Sequence, residues 1–120
     1  MRVDEPGADL AVAMAVASAH RNQPLINPAA SSTSRPGAAG SQTPLACFGE
    51  LGLTGELRYV GHPDRRVAEA GKFGLGTVIG PSGGERLEGL DAHRTLRAAL
   101  RAALGKRRRA EEDDELREAA

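Results

Sequence analysis

The apolar residues of this chain fall into separated blocks, and the spacing within each block predicts an element. Residues 10–19, LAVAMAVASA, are apolar on nearly every helical face, with Leu10 and Met14, and Val12 and Val16, at i,i+4 spacing. That pattern predicts a helix buried against a sheet and running to about Arg21. Asp4-Glu5-Pro6 reads as its entry, because proline at the first helical position wastes no N–H and acidic groups favour the positive helix end. Residues 22–43 then change to Pro, Ser, Ala and Gly with a single charge at Arg35. Too little apolar area is available there to offset chain entropy, so 22–44 reads as a flexible, disordered insertion.

The pattern resumes at Leu45–Phe48, a short strand, followed by the glycine-punctuated GELGLTGE and by Leu57–Val60, whose alternation is that of a second strand joined through a turn or hairpin. After Pro63, the residues Val67, Ala70 and Phe73 recur at helical spacing, with Asp64 at the start and Gly71 and Gly74 at the end. Thr77–Ile79 is a further β run, Pro81–Gly84 a loop, and Leu87–Leu90 a brief edge strand. From about His93 to Gly105, Leu96, Ala99, Leu100, Ala103 and Leu104 make one helical face, and Arg94, Arg97 and Arg101 the other. The order helix, strand, strand, helix, strand, helix predicts an α/β layered domain over 1–105. KRRR beside EEDDE makes 106–120 a charged C-terminal tail.

Composition narrows the picture. A chain of 120 residues holds one domain with a modest core, and with no Trp, one Tyr and two Phe that core is built from small aliphatic side chains. Basic and acidic residues cancel at 16 each, so nucleic-acid binding would have to come from a local patch. The single Cys47 excludes an intramolecular disulfide and favours a reducing, cytoplasmic location. The run from Leu10 to Ala17 is too short to span a bilayer, which argues against a membrane partner.

Candidate chemistry is sparse. His20, His62 and His93 stand apart without a Cys or acidic partner at ligand spacing, which makes them surface histidines and leaves metal binding unsupported. Neither Gly71-Lys72 nor Gly105-Lys106 carries the rest of a phosphate-binding P-loop. The carboxylates at 111–115 lie in a polar tail where nothing splits their pKa values. Ser82, in the small-residue turn Gly80-Pro81-Ser82-Gly83-Gly84, could be a nucleophile only with an activating base. The downstream lysine, Lys106, sits in the tail, so this segment reads as a plain loop.

Three stretches in this order, EPGADLAVAMAVASA, FGELGLTGELR and RRVAEAGKFGLGTVIGP, resemble the carboxy-terminal, Lon-protease-like domain of the bacterial RadA (Sms) DNA repair family. The likeness covers residues 2 to about 81 closely and the final helix loosely; FGELGLTGE is its most specific part. It implies a ribosomal-protein-S5-domain-2-like α/β fold, here starting after the domain's first strands. In Lon proteases the attacking serine stands in a P-S-A-G turn opening the equivalent helix, and a lysine after the second strand activates it. Here those places fall to Gly7 and about Asp64, which can supply neither oxygen nucleophile nor neutral amine. The resemblance therefore implies a non-catalytic module with degenerate positions Gly7 and Asp64, rather than an ATP-dependent serine protease; a stand-alone interaction adaptor is the remaining alternative.

For the parent family the resemblance implies a DNA-dependent ATPase that forms a hexameric ring of copies of itself. It would act with the recombinase RecA on single-stranded or branched DNA. Its ATP, Mg and Zn belong to amino-terminal regions without counterpart here, so no cofactor is expected in this chain, which reads as a fragment, a misplaced start or a truncated paralogue. Arg58, Arg66 and Lys72 match basic positions of the family pattern and Arg65 adds to them, marking a DNA-contacting face. Salt bridges to Glu56, Asp64 and Glu69 are the competing explanation, and the Arg94, Arg97, Arg101 stripe is a second basic candidate.

Overall fold

In the computed structural model residues 4–28 and 44–104 are described, and a small parallel sheet organises them. Strand β1 (Ala46–Cys47) and β5 (Leu90–His93) flank β4 (Val78–Pro81), both running parallel to it in the order β1-β4-β5. A separate two-stranded ribbon pairs β2 (Glu50–Leu51) antiparallel with β3 (Leu57–Arg58). Helices α1 (Asp9–Arg21), α2 (Pro63–Lys72) and α3 (Leu96–Leu104) complete this α/β fold, with a single 3₁₀ turn at Pro6–Ala8 leading into α1.

The two faces of the sheet explain the placement of the helices. Side chains alternate along a strand, so neighbouring Val78 and Ile79 look to opposite sides. Ile79 joins Leu10 and Met14 of α1, Leu57, and Ala99 and Ala103 of α3 in one cluster. Val78 joins Phe48 and Ala70, with Val67 of α2 and Leu90 packed against them, in the other. The central strand is buried along its whole length, as a strand covered on both faces should be.

Several expectations are corrected. Helix α1 buries only Leu10 and Met14, while Val12 and Val16 are 57% and 63% exposed: the apolar run is continuous, but only one stripe faces the core. Phe73 lies past the end of α2 and is 72% exposed. The strand expected at Leu87–Leu90 is displaced to Leu90–His93, because Leu87 to Gly89 make the turn that delivers it and Leu90 N–H closes on Leu87 O at 3.2 Å. The final helix begins at Leu96, where the Thr95 hydroxyl accepts the Ala98 N–H at 3.1 Å, and not near His93. GELGLTGE contributes a strand of its own, β2, that was not expected.

The largest correction concerns the start of the segment read as disordered. Asn22 closes α1 in the left-handed conformation, Leu25 packs on the core, and Ile26 N–H bonds Ala103 O at 2.7 Å. Asn27 is 1% exposed, and its amide donates to Leu75 O at 2.6 Å and Pro44 O at 3.3 Å. Composition alone misses this, because a buried asparagine is held by backbone carbonyls from distant parts of the chain. The remainder of that segment, 29–43, and the tail from 105 lie outside the described residues. Among the described residues, no helix is long and apolar enough to cross a membrane.

Candidate functional site

Gly7 opens the segment leading into α1 and is buried. Its carbonyl accepts the Gly49 N–H at 2.9 Å and Leu10 N–H returns to Gly49 O at 3.0 Å, so the turn is stitched to the loop between β1 and β2. A Cβ at position 7 would lie 2.7 Å from Glu5 Oε1 and 3.0 Å from Arg66 Nη1. A side chain there would displace the Glu5 carboxylate and the tip of Arg66, both far ends of flexible side chains. Arg66 is held there from three directions: its Nη2 donates to Glu5 Oε1 at 2.7 Å, its Nε to Gly61 O at 3.0 Å, and its Cζ lies 5.5 Å from the centroid of the Phe48 ring. The Arg66 hydrogen bond, followed by its charge, holds the Glu5 carboxyl below the usual carboxylate range. Asp64 sits exposed in the first turn of α2 and is not among the atoms nearest Gly7.

The four basic residues expected to share a face divide into three settings. Arg66 turns inward to Glu5, a partner 61 residues away that spacing could not reveal. Arg58 projects from the ribbon and meets Glu56 Oε1 at 3.3 Å. Lys72 meets Glu69 at 3.2 Å, one turn earlier on α2. Arg65 is exposed, with no ion pair among the described residues, and lies seven positions from Lys72, so these two share one side of α2. Of the competing partners, Glu56 and Glu69 are engaged and Asp64 is not. Arg94, Arg97 and Arg101 are exposed around α3, with no acidic partner among the described residues.

The ribbon carrying Arg58 is tied by hydrogen bonds within its turn and to its neighbours. Glu56 receives the Thr54 hydroxyl and, at 3.1 Å, the Thr54 N–H. The hydroxyl is the main reason its carboxyl falls to about 2. Leu96 N–H bonds Gly55 O at 2.8 Å and Leu57 N–H bonds Arg94 O at 2.8 Å, fastening the ribbon to the entry of α3.

His93 is not the isolated surface histidine expected: its Nε2 lies 3.0 Å from Asp91 Oδ2, though too poorly aligned to count as a hydrogen bond. Ser82 is half-buried, its N–H bonded to His93 O at 2.9 Å, and its hydroxyl meets no base among the described residues. Burial pushes the Cys47 thiol up to about 11, far from a reactive thiolate. Among the described residues no group of three or more His, Cys, Asp or Glu could hold a metal ion.

No protein-family model matches the chain. Individual relatives do. The DNA repair protein RadA of Streptococcus pneumoniae is 38% identical over 82 residues, 68% of this chain and 16% of the relative. RadA of Listeria monocytogenes is 41% identical over 86 residues, 71% of this chain and 15% of the relative. Over that stretch the chain is homologous to RadA proteins. RadA of Halalkalibacterium halodurans adds a third match, 41% identical over 81 residues. The chain spans about 15% of the length of these RadA proteins, so the relationship is to one segment of a much longer molecule.

Proposed function

We propose that this chain is a non-catalytic module of a RadA-type DNA repair ATPase, with the ribosomal-protein-S5-like fold of the Lon proteolytic domain. It contributes contacts between subunits and to DNA during recombinational repair. The relationship to proteins named for DNA repair carries this reading. Gly7 adds support, because a glycine carries no oxygen with which to play the serine of a Lon-type dyad. Arg65 and Lys72 on one side of α2, together with Arg58, are the DNA-contacting residues of this reading. Arg66 is engaged by Glu5 and the Gly61 carbonyl, so in this reading its part in binding is indirect.

A segment exchange tests the role. Residues 4–104 replace the matching segment of Streptococcus pneumoniae RadA, and survival after DNA cross-linking is scored in cells lacking their own RadA. Rescue is expected; a soluble, normally accumulating exchange protein that rescues nothing refutes the assignment. Incubating the chain with a fluorophosphonate probe addresses the protease alternative, and stoichiometric labelling of any serine would establish it.

A further inference from the structure

Helix α1 has a second apolar face, which the described residues leave uncovered. Leu10 and Met14 are buried on one side, while Ala11, Val12, Ala15, Val16 and Ala19 are exposed. At 3.6 residues per turn these five fall together on the other side. No charged side chain interrupts the stripe between Asp9 and His20. A helix that is apolar all round is one that is covered all round, so this face calls for an occupant.

The flank of that stripe is complementary to itself. Asp9, Val12, Val16 and His20 stand at i, i+3, i+7 and i+11, the spacing of one straight line along a helix. The line has an acid at one end, a base at the other and two valines between. When a second α1 lies antiparallel on the first, the same flanks meet at opposite ends. Asp9 then faces His20 of the partner subunit and Val12 faces Val16 of the partner subunit, each pair occurring twice about a two-fold axis midway between the valines. An imidazole can donate to a carboxylate in either protonation state. Asp9 keeps the Leu51 N–H, accepted through Oδ2 at 3.2 Å, because a carboxylate takes several donors. A parallel pair would set acid on acid and base on base. The alanines at 11, 15 and 19 let the two backbones approach to the short end of the usual helix separation. The stripe itself lacks the cations that would hold it on anionic lipid or on a phosphate backbone.

We propose that the exposed face of α1 seats a second copy of this chain, in a two-fold antiparallel pair. The pairing needs only α1, so it stands whether or not the chain serves in DNA repair. A helix of 13 residues is about 20 Å long. Two of them side by side bury well under the roughly 1,600 Å² of a standard interface, so the dimer is a weak one, with a dissociation constant on the order of 10–100 μM.

The test follows the full chain by analytical ultracentrifugation from about 5 to about 500 μM, a range that brackets such an affinity. A reversible monomer–dimer equilibrium is expected. Val16→Glu, which buries a carboxylate of each copy near the axis, should weaken it at least about tenfold. His20→Glu, set against Asp9 of the partner subunit, should weaken it several-fold, whereas His20→Lys should dimerise like the parent chain. Both positions are exposed, so these variants should unfold thermally with the parent. Direction and register are read by mixing Val12→Cys with isotopically heavy Val16→Cys under mild oxidation. The mixed disulfide should exceed both self-disulfides, whose Cα atoms are offset by a further 6 Å or so along the axis and so exceed the ~7 Å reach of the bond. Cys47 is common to every variant, and the parent chain controls for it. A chain that stays monomeric at about 500 μM, an equilibrium unchanged in Val16→Glu, or self-disulfides as abundant as the mixed one overturns the proposal.

Discussion

At the scale of single residues, Asn27 has the largest stability role that the sequence conceals. It is a buried side chain whose amide satisfies two backbone carbonyls, Leu75 O and Pro44 O. Asn27→Leu leaves both without that donor, and urea unfolding should show a loss of about 1–3 kcal/mol. Glu56 gives the chain a pH dependence. Its folded carboxyl is pulled down to about 2, from an ordinary 4.5, chiefly by the Thr54 hydroxyl. A group whose folded pKa is depressed contributes stability fully present above the unfolded value and lost as pH falls through the folded one. The urea midpoint should therefore fall between pH 4.5 and about 2, with Glu56→Gln flattening part of that slope. Glu5, lowered by Arg66, acts in the same direction, so Glu5→Gln should flatten it further. Gly7 closes the residue scale: the double variant Gly7→Ser with Asp64→Lys restores the residue types of a dyad, but position 64 is exposed and not among the atoms nearest Gly7, so it should remain unlabelled by fluorophosphonate.

At the scale of elements, α3 depends on Thr95, the residue just before it, and on the small buried Ala103. Thr95→Ala removes the hydroxyl that accepts the Ala98 N–H and should cost about 1 kcal/mol in chemical denaturation. Ala103→Leu adds volume where the residue is fully buried against α1, and should cost about 1–3 kcal/mol. Legibility in the sequence differed between elements for physical reasons. The amphipathic spacing of Leu96, Ala99 and Ala103 made α3 readable, and the alternation near Leu57 made β3 readable. The four-residue strand β5 was misplaced because Leu90, Asp91, Ala92 and His93 pair with β4 through backbone groups, which leave little trace in side-chain type. The inward turn of Arg66 was illegible for a related reason: its partner Glu5 stands 61 positions away, and only folding brings the two together.

At the scale of the whole molecule, charge balance is the governing fact. With 16 basic and 16 acidic residues the chain has no net field to draw it onto phosphate backbones, so any affinity for DNA rests on local arrangement. The proposed face on α2 gives a measurable consequence. Arg65→Glu combined with Lys72→Glu should weaken binding to a single-stranded oligonucleotide and reduce the slope of log K against log salt by about 1–2. An unchanged slope in a salt titration would remove α2 from the proposed contact. The RadA relationship and the α/β layering were both readable from a few short stretches, since these carry the sheet and the helix entry together. The division of the basic residues into different settings became visible only once the helices were in place.

The amide of Asn27 has a consequence for local motion. By reaching Pro44 it pins two distant points of the chain side by side, so whatever joins them starts and finishes at one fixed doorway. Cutting that tie in Asn27→Leu should therefore loosen both points at once, seen as faster amide hydrogen exchange at Ile26 and at Leu45 than in the parent chain.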